Sequence, residues 1–277
     1  MIAKKYQELF DKLTPFIFSY KDNLEFFDLN ALGQTIHSDY HFDPTYNSSL
    51  DFYAYLRQMD ALTFADQGMC MDGWVYFDCA TMPGAIVGFG VKAKELPKKL
   101  RQYFKKAKDD TFIPVSMFIA IPMLGNKWFG HNLSSLKSKL GDEYKGLGLL
   151  TKAFGIQVLK INEMYGATQW GSHAINIHSR LADMELITSS TIVHSHKNTL
   201  CYRSYYNREK ILSALAKDEA RSRKEDFSIS NHDILAQESL QVKIENKEAF
   251  TLIGKPIYED ESVYYKVLRG FTSKAPK

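Results

Sequence analysis

The sequence predicts a mixed α/β (α+β) fold, and three observations carry that expectation. Phe112 to Met123 is a continuous apolar run of strand length, and Pro114 and Pro122 within it argue against a helix. Gly146 and Gly148 then open a long stretch of helical spacing, Leu149 to Tyr165, in which Ala153, Phe154, Ile156, Val158, Leu159 and Ile161 supply one buried face. After it, short strand-like and helix-like patterns alternate as far as Tyr206.

Taken in order, Ile2, Tyr6, Leu9, Phe10 and Leu13 recur at helical spacing before Pro15 and predict an opening amphipathic helix. A second helix is expected over Ser48 to Gln58, after the Asp43-Pro44 turn. Gly73 to Thr81 and Ala85 to Val91 read as two strands joined at Met82-Pro83-Gly84. Leu96 to Lys108 reads as a basic helix, and a solvated face explains its lysines before attraction of an anionic cofactor does. His131 to Leu140 reads as a strand whose apolar positions Leu133, Leu136 and Leu140 break alternation once, as a β-bulge would. Tyr165-Gly166 ends the long helix. A strand near Ala167 to Gly171, a helix from Asn176 to Glu185, and strands through Ile187 to His196 and Thr199 to Tyr206 complete this part. The last two strands are expected to form a hairpin around Lys197-Asn198. Beyond it come a charge-rich helix (Asn207 to Asp226), a polar connector (Phe227 to Asp233) and a β-rich tail with Leu240 to Ile244, Phe250 to Ile253 and Val263 to Leu268. The expected organisation is therefore 1–72, an acceptor-side segment; 73–206, a core; and 207–277, a helix with a small β-rich appendage.

Composition narrows the function. The chain has 277 residues, 45% hydrophobic and 24% charged, which is ordinary for a soluble globular protein. A net charge of +3 gives no reason to expect nucleic acid or a membrane surface as partner, and no apolar run reaches 18 residues. The N-terminus lacks the pattern of a signal peptide, and Cys70, Cys79 and Cys201 suit reduced thiols, so a cytoplasmic location is expected. No Cys pair or carboxylate joins His173, His178, His194 and His196 in an ordered ligand pattern, so no metal is expected.

The stretch Gly141-Asp142-Glu143-Tyr144-Lys145-Gly146-Leu147-Gly148-Leu149-Leu150 carries the chemistry. Glycine lets backbone N–H groups approach a ligand, and a helix start concentrates unpaired donors and positive partial charge. The result suits a pyrophosphate. It lacks the Gly-Lys-Ser/Thr ending of a P-loop and the third glycine of a dinucleotide fingerprint. A plain strand-to-helix turn uses the same residues.

Two segments, Glu143 to Leu150 and Asn176-Ile177-His178-Ser179-Arg180-Leu181-Ala182-Asp183-Met184-Glu185-Leu186, together resemble the GNAT acyltransferase superfamily. The first is similar to its acyl-CoA loop, Gln/Arg-x-x-Gly-x-Gly/Ala, and the second to its Asn-x-x-Ser/Ala segment. The interval of roughly thirty residues is that of a helix plus a strand. The resemblance covers about Gly73 to Tyr206. Three departures stand out: Glu143 replaces the usual Gln or Arg, Glu185-Leu186 replaces a Gly-Phe pair, and no tyrosine holds the family's frequent general-acid position, near which Asp183 lies. A narrower likeness is carried by Thr168-Gln169, the Asn176 segment, His194-Ser195-His196 and Tyr40-His41-Phe42-Asp43-Pro44. It is to acyltransferases of surface-polysaccharide amino sugars, such as the dTDP-fucosamine acetyltransferase group; a helix cap and turn explains the Asp-Pro feature equally well.

The resemblance implies a mixed, mostly antiparallel twisted sheet flanked by helices, with acetyl-CoA or another acyl-CoA as co-substrate. Gly146, Leu147, Gly148 and Leu149 would offer N–H groups to the pyrophosphate and Lys145 would add charge. Leu136, Ser138 and Leu140 would pair with the pantetheine amides as an added strand does. Asn176, with Ser179, would face the pantetheine arm or a bound water, or Asn176 would cap its helix. His194 and His196, two apart on a predicted strand, share a face, and histidine as a residue type suits a base or an acid near neutral pH; hydrogen-bonded or exposed strand histidines are the plainer account. Tyr202, with Tyr205 and Tyr206, is the alternative acid. The expected acceptor is a small-molecule amine, such as a nucleotide-linked amino sugar. The alternatives are a longer acyl chain delivered by CoA or an acyl carrier protein to an amino-acid-like acceptor, and a binding protein without catalysis. The C-terminal region is open to a role as a dimerisation element in a homodimer, an acceptor-binding lid or a partner-binding module.

Overall fold

A computed structural model describes residues 2–82, 84–191, 198–216 and 224–272. The chain divides into two compact units, Ile2–Ile161 and Asn162–Lys277.

In the N-terminal unit the elements are α1 (Lys4–Lys12), β1 (Thr14–Phe18), a short ladder of β2 (Asn30–Ala31) and β3 (Gln34–Thr35), β4 (His41–Phe42), α2 (Leu50–Phe64), α3 (Gly73–Thr81), β5 (Ala85–Lys92), α4 (Lys98–Arg101), β6 (Phe112–Met123), β7 (Lys127–Ser135), α5 (Lys137–Leu140) and α6 (Leu147–Val158). Its sheet runs β7-β6-β5-β1-β4, antiparallel except for the β1–β4 pair. Register assigns the two faces. Val87, Phe118 and Leu133 lie side by side across β5, β6 and β7, and so share one face with Phe89 and Ser116. Phe89 meets Phe10 of α1 and Phe154 of α6 at ring separations of 5.9 and 5.0 Å, which places both helices there. On the other face Phe16 of β1 meets Phe52 of α2 edge-on at 5.0 Å. Met117 and Ile119 point to this second face, together with their β7 partners Ser134 and Asn132.

Four expectations are corrected here. Gly73–Thr81 is a helix, not the first strand of a hairpin. Its buried residues Tyr76, Cys79 and Ala80 follow helical spacing, while the exposed Trp74 and Phe77 fill the run with aromatics and hide the period. The basic segment 96–108 is helical only at α4. The strand expected to reach Leu140 ends at Ser135, and the long helix spans Leu147–Val158, giving way to a strand before Tyr165.

The C-terminal unit contains β8 (Glu163–Gln169), α7 (His173–Leu181), β9 (Met184–Thr188), β10 (Thr199–Tyr205), α8 (Arg208–Ala216), β11 (Phe227–Ser230), α9 (Ile234–Glu245), β12 (Phe250–Glu259) and β13 (Ser262–Arg269). Its sheet, β11-β13-β12-β9-β10-β8, is antiparallel throughout. The core joins Ile175 of α7 and Leu240 of α9 to Met184, Leu186, Leu200, Phe250, Leu252 and Val267 of the strands. The last strands are not a separate appendage: Thr251 and Leu252 of β12 pair with Glu185 and Met184 of β9. Leu240 to Ile244, read as a strand, belongs to α9, whose N-cap Asp233 accepts the Ala236 N–H at 2.9 Å. Phe227–Ser230, read as connector, is a strand. Each unit is thus a mostly antiparallel sheet flanked by helices, a mixed α/β architecture.

Candidate functional site

The glycine loop of the N-terminal unit is built by two left-handed residues, Gly141 at φ +127° and Gly146 at φ +99°. Between them Tyr144 N–H reaches Gly141 O at 3.2 Å and Lys145 N–H reaches Asp142 O at 3.0 Å, closing a tight turn. Gly146 is the N-cap of α6, and no side chain caps the helix. A side chain at 146 would be strained, and its Cβ would press to 2.8 Å from the Tyr6 ring. The first intrahelical bond is Leu150 N–H to Gly146 O at 3.0 Å. It leaves the N–H groups of Leu147, Gly148 and Leu149 without helical acceptors. The first turn holds no acid, Gly146 and Gly148 are half-exposed, and Leu147 and Leu149 anchor the turn with buried side chains. Unpaired N–H groups of this kind suit an anion. Lys145 is exposed beside it, Lys137 pairs with Asp142 at 3.3 Å, and Lys12 lies over the Tyr144 ring at 5.8 Å. Glu143 folds its carboxylate back against Gly141, at the opposite end of the loop from the helix start.

Leu136, Ser138 and Leu140 do not offer an open strand edge. Leu136 N–H is taken by Val115 O, and the N–H groups of Lys139, Leu140 and Gly141 are used within the helical turn of α5. Leu136 and Leu140 bury their side chains. His194 and His196 lie outside the described residues. In the C-terminal unit Ser172, not Asn176, caps α7, accepting the Ala174 N–H at 3.2 Å. Asn176 Oδ1 and Ser179 Oγ, one turn apart on that helix, are buried and make no hydrogen bond. Tyr202 sits in the core opposite Gly166 of β8, where only a glycine leaves room for its ring. Burial, with the nearby Tyr206, pushes its phenol well up, and its ring centre lies 5.3 Å from that of His178.

The Asp43 feature is a turn. Thr45 donates its N–H and hydroxyl to the carboxylate at 2.8 and 2.6 Å, and Lys21 donates its N–H at 3.0 Å. Burial opposes ionisation there, but these hydrogen bonds outweigh it and hold the carboxyl below its ordinary value.

A second polar cluster in the N-terminal unit was not anticipated. Asp60 of α2 is 1% exposed. Its Oδ2 accepts the Met71 N–H at 2.9 Å, and its Oδ1 lies 3.5 Å from Asn132 Nδ2 of β7. Ser134 Oγ donates to Asn132 Oδ1 at 2.9 Å, and Met71 Sδ touches Asn132 Nδ2 at 3.4 Å. The Tyr76 hydroxyl of α3 is buried beside the carboxylate and interacts with it, though off full hydrogen-bond geometry, and it meets no other partner. Burial raises both the Asp60 carboxyl and the Tyr76 phenol, the latter helped by the charge of Asp60. The sequence does hold a signal for this cluster: Asp60 falls on the buried stripe Phe52, Leu56, Met59 of an otherwise apolar helix face.

Among the described residues no group of three or more His, Cys, Asp or Glu side chains is arranged to hold a metal, and no helix is long and apolar enough to cross a membrane. No family model and no curated protein matches the chain.

Proposed function

We propose that the chain is an acyl-CoA-dependent N-acyltransferase of the GNAT type, which moves an acyl group from CoA to the amine of a small molecule such as a nucleotide-linked amino sugar. The observation that carries this reading is the uncapped, acid-free start of α6, whose N–H groups at Leu147, Gly148 and Leu149 suit the CoA pyrophosphate, with Lys145 beside them. The sequence likeness to the family's acyl-CoA loop falls on these same residues. In the reaction the amine attacks the thioester carbonyl, the C–N bond forms, the C–S bond breaks, and the sulfur leaves with the electron pair while a base removes the proton from nitrogen. His194 and His196 are the candidates of the sequence for that base; the core position of Tyr202 favours a packing role.

A second reading, in which the acyl group arrives on an acyl carrier protein, draws on one observation. The connection from β5 to β6 exposes Lys98, Lys99, Lys105, Lys106 and Lys108 at the same end of the sheet as the glycine loop. Its Glu95 is near enough to add to the rise that burial imposes on the Tyr144 phenol. A cationic surface of this kind suits an acidic protein.

The test is acetyl-CoA binding by calorimetry, wild type against Gly148→Glu. A carboxylate in the first turn favours the helix dipole but repels a phosphate. The variant should therefore keep or raise its Tm while acetyl-CoA affinity, on the order of micromolar in the wild type, falls at least ~10-fold. Absence of binding to folded wild type removes CoA as donor, and the same titration with an acylated carrier protein then decides between the second reading and a protein without transferase activity.

A further inference from the structure

Asp60 departs from how buried carboxylates are ordinarily held. Fully buried aspartates are almost always paired with a cation or richly hydrogen-bonded, because removing the charge from water is costly. Among the described residues no lysine, arginine or histidine pairs with Asp60; it meets only neutral donors, the Met71 N–H at 2.9 Å, Asn132 Nδ2 at 3.5 Å and the neighbouring Tyr76 hydroxyl. Arg57, one turn back on the same helix, is exposed and stacks at 5.9 Å over the Tyr53 ring. Tyr76, 0% exposed, turns its hydroxyl to the same carboxylate off full hydrogen-bond geometry, and its oxygen has no donor of its own. The cluster lies on the α2 side of the sheet, against β7, under the segment 65–72, which is exposed except at the half-buried Met69 and Met71 and from which Met71 reaches the cluster. That segment contains the left-handed Gly68 and makes no strand or long helix of its own.

The missing component can be specified by what the groups accept. The carboxylate accepts only, so the complementary group must donate and should be cationic. The Tyr76 oxygen also has a free lone pair. A divalent metal calls for several carboxylate or imidazole ligands, which this spot does not assemble. A guanidinium is a broad planar fork suited to two oxygens of one carboxylate, one of which already takes the Met71 N–H. A primary ammonium is compact and has three donors, enough for Asp60 and Tyr76 with one to spare.

We propose that Asp60, Tyr76 and Asn132 form a binding site for the ammonium group of a primary amine, entered beneath Met71. Asp60 supplies the opposite charge, the Tyr76 oxygen accepts a second N–H, and Asn132, fixed by Ser134, holds the carboxylate in place. Identifying this amine with the acyl acceptor rests on the acyltransferase reading; the ammonium site itself does not.

The test uses the full chain at pH 8, where an alkylamine is protonated, with n-butylamine as probe and n-butanol and potassium chloride as controls. Saturable thermal stabilisation by n-butylamine is expected, and none by the controls. Asp60→Asn, which keeps an acceptor for the Met71 N–H, should weaken the amine at least ~10-fold; Tyr76→Phe, which loses one hydrogen bond and no charge, should weaken it ~3–10-fold. Equal amine binding by wild type and Asp60→Asn overturns the proposal, as does equal stabilisation by butanol or by potassium. Should Asp60→Asn fail to fold, an unchanged response in Tyr76→Phe overturns it instead. Acetyl-CoA binding is measured on the same samples. If it is absent while the Asp60-dependent amine response persists, the transferase reading falls and the ammonium site stands; if it is present and unchanged in both variants, the two readings stand or fall separately.

Discussion

Each unit of this chain buries a carboxylate, and they are answered differently. Glu185 in the C-terminal unit, 2% exposed, receives Arg203 Nε and Nη2 at 3.0 and 2.7 Å on one oxygen. Asp60 in the N-terminal unit, equally hidden, receives no cation from the described residues. Glu185 sits on β9 between β10 and β12, where Arg203 is its direct cross-strand partner. Its pairing is part of how the sheet is joined. Asp60 sits under a loop and beside a buried phenol, with neutral donors only. The contrast teaches how to separate a charge held for the fold from one held for a ligand: the first loses stability when its partner goes, the second gains stability when its own charge goes.

The largest effect should follow from breaking the completed pair. Arg203→Ala strands a buried anion and should cost about 3 kcal/mol in chemical denaturation, since removing one partner of a buried pair leaves the other uncompensated. Asp60→Asn should instead leave stability unchanged or raise it. If it costs as much as Arg203→Ala, Asp60 belongs with Glu185 as a structural group. A smaller effect is the pH dependence of that difference. Burial raises the folded-state carboxyl of Asp60 above its ordinary value of 3.8, so the folded protein holds this proton more tightly than the unfolded chain does. Its contribution is therefore most favourable below the unfolded pKa and declines as pH rises through the raised folded value. The Tm of wild type minus that of Asp60→Asn should fall as pH climbs from about 4 towards neutrality and then level off. The opposite slope would mean that a cation does answer Asp60. The smallest effect concerns Ser179, whose hydroxyl is buried without a partner; Ser179→Ala should be neutral or stabilise by up to about 1 kcal/mol in the absence of ligand. A loss of 1 kcal/mol or more would show that the hydroxyl is bonded within the fold.

The parts of the fold legible in the sequence were those with one dominant period. α1, β5, β6, β10 and β13 lie where spacing or an unbroken apolar run put them. α6 was legible at its start, because Gly146 and Gly148 mark it, but not at its end, where Leu159 and Ile161 continue the apolar pattern past the last helical residue. α3 was misread because Trp74 and Phe77 are exposed aromatics, and an amino-acid string cannot say that a large apolar side chain faces water. α9 was misread although Asp233 is a capping residue, because Leu240 to Ile244 also alternates. Of the candidate site, the glycine loop was legible and its neighbouring strand was not: the strand gives way at Leu136, whose N–H turns to Val115 of β6, a long-range contact without a local signature. Asp60 was visible as a charge on an apolar stripe, but its meaning depends on residues from α3 and β7 that only the fold brings to it.

The pairing of β12 with β9 has a consequence for anyone who would shorten the chain. Cutting after Tyr206, where the sequence suggests a core ends, would strip β9 of its neighbour and leave a row of open N–H and C=O groups flanked by the apolar side chains of Met184 and Leu186. Such an edge recruits other chains. The last seventy residues act in this sense as a selvedge: without them the protein would be expected to fail by aggregation before it failed by losing its chemistry.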